Sequence, residues 1–149
     1  CVIGSDGAER QRLQEMTKEL EIAPWVLFTG RVTDKEKRDI FGAADIHIMP
    51  SIQVGPMIEG FGIVFLEAAA AGIPSIAGSI GGQGEAVLHG KTGLIVDGES
   101  VEEVREAVRL LAGNLDLRRR MGQEARLWAE ANDWKLVAAR TLDIINAIS

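Results

Sequence analysis

Two glutamates, Glu59 and Glu67, stand with seven residues between them in the run PSIQVGPMIEGFGIVFLEAAAAGIP at positions 50–74, and the first is followed at once by Gly60-Phe61-Gly62. Glycines carry no side chain to block a ligand's approach to the backbone. A helix that starts there presents unpaired N–H groups and a partial positive charge, so a diphosphate can dock without a lysine. Carboxylates at two points along such a segment accept hydrogen bonds from hydroxyls at the two ends of a ligand. Glu67 lies between Phe65-Leu66 and a run of four alanines. That setting disfavours a solvated face, and a buried carboxylate needs a partner or a ligand. Together these residue types spell a pocket for a nucleotide sugar.

The elements that must position them alternate between strand-like and helix-like, the pattern of an α/β fold with a parallel sheet and crossover helices. Strands are expected at Val2-Ile3, closing at Gly4, then at 25–28, 46–49, 74–77 and 93–96. Leu13, Met16 and Leu20 mark a helix over about 8–20. Thr33 with Glu36, and Ser100 with Glu103, form capping boxes that open two more helices. A helix over about 62–71 carries Glu67, and a glycine-rich loop at 78–84 leads into a short helical turn at 85–88. Leu117, Met121, Ala125 and Trp128 mark a further helix, and Trp134, Val137, Thr141, Ile144 and Ile148 the last.

With 149 residues, one domain with a real core is expected. A net charge of −6 argues against nucleic-acid binding and offers an anion no long-range steering, so phosphate contacts must be local. The single cysteine, Cys1, excludes an internal disulfide and suits a reducing compartment. No apolar run is long enough for a transmembrane helix, and a cytoplasmic location is expected. No cluster of His, Cys and carboxylates has metal-ligand spacing, so the expected metal content is none. Gly4-Ser5-Asp6-Gly7 lacks the G-x-G-x-x-G spacing and is no dinucleotide fingerprint.

The stretch EGFGIVFLE resembles the E-x7-E signature of retaining glycosyltransferases with the GT-B fold, family 4 of the sequence classification. CVIGSDGAERQRLQ, WVLFTGRV, ADIHIMPS, GIPSIAGSIGGQGEAVLHGKTGLIV and NDWKLVAARTLDII follow the family's order, so the resemblance covers nearly the whole chain. It implies a doubly wound, Rossmann-like sheet, the nucleotide-sugar (donor) domain at residues 1–149, lacking its first strand, with the acceptor domain absent. The absent strand would lie inside the sheet, next to the Val2 strand and the Ile46 strand. Two open edges invite self-association, strand swapping or a partner segment.

For single residues, the resemblance implies that Glu59 is the catalytic-site carboxylate that holds the donor sugar's hydroxyls, and that Glu67 holds the ribose. Gly60, Phe61, Gly62, Ile63 and Val64 would contribute backbone at the helix start, although Phe61 could equally be plain packing. Gly30 and Arg31 match the loop lining the base, with a surface charge the alternative for Arg31. Ser51 could bond a ligand, but a turn is favoured. Gly81 and Gly82 resemble the glycine pair facing the diphosphate, which as a nest would suit phosphate. Glu85 reads as a first-turn dipole partner, His47 as a sheet residue and His89 as an exposed turn residue.

The implied reaction moves a sugar from a UDP-, GDP- or ADP-sugar to an acceptor with retention, without metal or other cofactor. The arginine and lysine that normally balance the leaving diphosphate would lie upstream of Cys1, so this chain alone is expected to be inactive and to bind donor weakly. Three readings compete. A non-catalytic module could bind a nucleotide or a protein partner through open sheet edges. A GT-B epimerase domain would not need the Glu59-Gly-Phe-Gly arrangement, and a Rossmann oxidoreductase fails on its fingerprint.

Overall fold

The computed structural model describes residues 1–148 apart from Ser5, Val54 and 57–59. It divides into two compact units, Cys1–Ile40 and Phe41–Ser149. Among the described residues the strand pairs are all parallel, and they form one sheet of two strands and one of three. The α/β class expected from the alternating pattern is what the chain adopts.

In the first unit β1 (Val2–Gly4) pairs with β2 (Leu27–Gly30), joined by helix α1 (Arg10–Glu19). The second strand starts two residues later than the apolar run 25–28 suggests. Pro24 sets up a 3-10 turn over Ala23–Trp25, and the ladder forms only beyond it. Helix α2 (Asp34–Ala43) opens on the expected capping box: the Glu36 N–H reaches Thr33 Oγ1 at 3.3 Å, and the Thr33 N–H donates to Glu36 Oε2 at 2.8 Å. The Thr33 N–H bond first, and then a bond from the Thr33 hydroxyl to the same Oε2 at 2.8 Å, lower the Glu36 carboxyl below its usual range.

In the second unit β3 (His47–Met49), β4 (Ser75–Gly78) and β5 (Gly93–Val96) lie in that order. The two-residue alternation of a strand splits their side chains between two cores. Ile76, Leu94 and Val96 pack with Ala107 and Leu111 of α5 (Val101–Gly113) and Met121 of α6 (Leu115–Ala131). Ala77 packs with Phe65 of α3 (Ile63–Ala70) and with Ala86 of α4 (Gln83–Ala86) and Val87, while Ile95 flanks this cluster. The sheet is thus covered on both faces, as buried parallel strands require.

Backbone contact locks the layers. A Cβ on Gly122 of α6 would stand 2.1 Å from the Gly72 carbonyl oxygen, so α6 crosses the end of α3 at a distance only glycine permits. The Trp128 Nε1–H donates to Ala86 O at 3.1 Å and ties α6 to α4. Arg118 donates to the Leu111 and Ala112 carbonyls at the end of α5 and pairs with Asp45 at 3.2 Å, just before β3. Helix α5 has half of its expected capping box. The Glu103 N–H reaches Ser100 Oγ at 3.2 Å, but the Glu103 carboxylate takes the N–H of Asp97 instead, at 2.8 Å. The last helix, α7 (Trp134–Ala147), begins at an Asp133 cap and buries no residue.

Candidate functional site

The loops leaving β3, β4 and β5 converge at the carboxyl ends of these parallel strands, the place where open α/β sheets bind ligands. Three glycines hold them together. A Cβ on Gly78 would meet Ser51 O at 2.4 Å, one on Gly98 would meet Pro50 O at 2.6 Å, and one on Gly82 would meet Gly60 O at 1.9 Å. The Gly82 contact joins two predicted site segments, the Gly81-Gly82 turn and the Gly60-Phe61-Gly62 approach to α3. It also gives Gly82 a packing reason for its identity, apart from phosphate. Gly81 has φ +78°, the left-handed region that favours glycine, whereas a Cβ on Gly60 would meet nothing within 4 Å.

Helix α3 starts behind Gly62, itself left-handed at φ 73° and ψ 67°, and no side chain among the described residues caps it. The Gly62 carbonyl accepts from the Phe65 N–H at 2.9 Å. The first turn, Ile63 and Val64, therefore opens the helix on bare backbone, as a bound anion would require. Phe65, Ala68 and Ala69 face the core, which turns Ile63, Leu66, Glu67 and Ala70 the other way. That outer face lines a cavity of about 690 Å3, closed opposite by Arg126, Glu130, Asp133 and Trp134 from the end of α6 and the start of α7. Phe61 lines it too while flanking the Phe65 core cluster, so its side chain packs against the core at the cavity's edge.

His47 lies in β3 with Nδ1 3.1 Å from Ser75 Oγ and its ring edge-on to Phe41 and Phe65, at 5.6 and 5.3 Å between centroids. Burial pushes its imidazole down to about 4, against the opposite pull of the Glu67 carboxylate. It is neutral at physiological pH, and its role is that of the sheet residue the alternation suggests. His89 is exposed and accepts the Ile95 N–H at 3.0 Å. Glu85 sits in the first turn of α4.

Ser51 turns back on itself, its N–H donating to Met49 O at 2.9 Å. In the first unit, Gly30 is buried with φ +67°, beneath the Asp6–Arg10 ion pair, and Arg31 is exposed. Glu59 lies outside the described residues. Among the described residues, the second unit brings together Gly60, Phe61, Gly62, Ile63, Val64, Glu67, Ser51, Gly81 and Gly82 on neighbouring strand-end loops and α3.

Sequence reasoning missed Arg126 and Trp134 in the cavity wall, and it missed Gln83. The Gln83 side chain is wholly buried. Its Oε1 accepts the Gly78 N–H at 2.9 Å, and its Nε2 donates to Ile80 O at 2.9 Å and Ser51 O at 3.3 Å. A glutamine between glycines gives no periodic or motif signal. Only its position directly after the Gly81-Gly82 pair could have drawn notice.

No described helix is long and apolar enough to cross a membrane, and no group of three His, Cys, Asp or Glu among the described residues could hold a metal ion.

Residues 1–128 match the family model described as glycosyl transferases group 1. Over 147 residues, 97% of the chain, it is 41% identical to a GDP-mannose-dependent alpha-(1-6)-phosphatidylinositol monomannoside mannosyltransferase of Mycobacterium tuberculosis, covering 38% of that protein. The chain therefore spans under two-fifths of the length of this relative. Sucrose-phosphate synthase from Thermosynechococcus elongatus superposes with a TM-score of 0.84 at 27% identity, over 99% of this chain and 37% of that one. HepE of Anabaena, solved in complex with UDP, shares the fold with a TM-score of 0.81 at 20% identity, over 98% of this chain and 40% of its own. The fold is that of the Rossmann-like C-terminal domains of GT-B glycosyltransferases, and the chain belongs to the group 1 glycosyltransferase family.

Proposed function

We propose that this chain is the donor-binding part of a glycosyltransferase that moves a sugar from a nucleoside diphosphate sugar to an acceptor with retention, as a family 4 enzyme carrying the E-x7-E motif. The observation that carries the reading is the uncapped start of α3 at Gly62 with Glu67 on the same helix lining the adjacent cavity. The diphosphate sits against the first turn, where Ile63 and Val64 offer N–H groups and the helix dipole favours negative charge. The Gly81-Gly82 turn flanks it through Gly60. Glu67 accepts from the ribose hydroxyls, and Glu59, next in sequence to Gly60, accepts from the sugar hydroxyls. Charge-assisted bonds of that kind give orientation as well as affinity.

The similarity to a GDP-mannose-dependent enzyme makes GDP-mannose the first donor to try, and the UDP of HepE makes UDP-glucose the second. Ligand-observed NMR with UDP, GDP and ADP, and with their glucose or mannose forms, tests the reading. Glu67→Ala weakens every nucleotide about tenfold or more, the worth of a hydrogen bond to a charged group. Glu59→Ala weakens only the sugar-bearing forms. Equal affinity of wild type and both variants would overturn the assignment, and phosphate binding without sugar preference would favour a plain nucleotide-binding module.

A further inference from the structure

We infer that Gln83 is a positioning residue, one that fixes the diphosphate-facing turn and, through it, the start of α3. The inference rests on the donor-site reading above and assigns a role to a side chain outside the E-x7-E segment. Its amide is wholly buried and bonds to three backbone groups on two different strand-end segments. One partner, Ser51 O, belongs to the exit of β3. The other two, the Gly78 N–H and Ile80 O, belong to the exit of β4 and the turn that follows it. Burying an amide is costly unless it is fully bonded, and an aliphatic side chain of similar size would fill the space without that requirement. What only the amide supplies is direction: one acceptor and two donors in one plane, holding the two exits in a single register.

The register reaches the ligand side through backbone alone. Gly82 immediately precedes Gln83 as the N-cap residue of α4, and its α-carbon face lies against the Gly60 carbonyl. Two residues beyond Gly60, Gly62 is the left-handed residue from which α3 departs. A shift of Gln83 therefore moves Gly82, and Gly82 cannot move toward Gly60 without displacing the approach to α3. Packed backbone of this kind transmits strain instead of absorbing it.

The test compares Gln83→Glu and Gln83→Leu with the wild-type chain, reading nucleoside diphosphate affinity and backbone amide resonances at pH 8 and pH 5.5. The ionised carboxylate of Gln83→Glu still accepts the Gly78 N–H but faces two carbonyl oxygens, a setting that also raises its pKa. At pH 8 this variant binds GDP or UDP about tenfold or more weakly than wild type. At pH 5.5 protonation restores one donor, and the gap to wild type narrows to within about threefold. Gln83→Leu stays weak at both pH values. The Gly60 and Gly62 amide resonances follow the same pattern.

Wild-type affinity in both variants, or a perturbation that stops at Gly78 and leaves Gly60 and Gly62 unmoved, overturns the inference. If Gln83→Leu does not fold, the pH pair of Gln83→Glu decides alone. If the wild-type chain binds no nucleotide, the donor-site reading fails, and the coupling of Gln83 to Gly60 and Gly62 is still judged from the amide resonances.

Discussion

Residues 1–40 and residues 41–149 follow the same rule, parallel strands linked by helices, yet only the second unit closes its elements into layers. In the first, the buried ones among the described residues are Thr17 and Gly30, while Leu20, Trp25 and Leu27 are 61, 70 and 59% exposed. In the second, Phe65, Ile76 and Leu111 have at most 1% of their surface exposed, and glycines let backbone touch backbone at three strand exits. Amphipathic periodicity is enough to make an element, but a fixed site needs elements with nowhere to move. The uncapped α3, its cavity and the Gln83 bonds all lie in the layered unit.

The comparison can be broken with paired substitutions. Leu111→Ala empties a fully buried position and should cost about 3 kcal/mol or more, whereas Leu20→Ala at the C-cap of α1 should cost less than about 1 kcal/mol. Urea unfolding measures both, and similar costs would erase the distinction. Gly122→Ala gains helix propensity of about 1 kcal/mol but drives a methyl into the Gly72 carbonyl, for a net loss of about 2 kcal/mol. Gly7→Ala meets nothing within 4 Å and should stay within about 0.5 kcal/mol.

His47 sharpens the contrast through pH. Its folded pKa of about 4 lies below the unfolded 6.5, so the unfolded chain binds more protons in between. The contribution is complete above pH 6.5 and is lost progressively as pH falls toward 4, amounting to about 2 kcal/mol after discounting partial exposure. His47→Gln should flatten that slope, and an unchanged slope would mean the ring is not buried neutral. The smallest effect belongs to the first unit. The Glu36 carboxyl is lowered by its bonds to Thr33, so its contribution is present above the unfolded pKa and fades as pH drops through the folded value. Thr33→Ala should remove that slight acid-side dependence, read as helix content against pH.

Much of this architecture was legible in the sequence because its signals are local. The strand at 93–96 is β5 to the residue, and the helix expected over 62–71 is α3 over Ile63–Ala70. The Thr33–Glu36 capping box formed because both partners lie on one turn. What stayed hidden depends on neighbours brought in by folding. The Glu103 carboxylate left Ser100 for the Asp97 N–H, which only the turn after β5 places within reach. Pro24 moved the start of β2, a competition between a turn and an apolar run that periodicity cannot arbitrate. The reasons for Gly82 and Gly122 are contacts with Gly60 and Gly72, and the value of Gln83 lies in partners up to 32 positions away. The α3 segment was legible as a helix with a carboxylate, but the cavity wall from Arg126 to Trp134 was not, because α6 and α7 carry no signal of what they face.

The central claim is that the start of α3 and Glu67 form the donor site, and backbone amide resonances of the chain titrated with GDP-mannose and UDP-glucose test it most directly. The account predicts that Gly62, Ile63, Val64 and Gly81 shift with one donor and that the shifts weaken in Glu67→Ala. A folded chain whose α3 amides stay unmoved with both donors, or whose shifts are indifferent to Glu67→Ala, would contradict it.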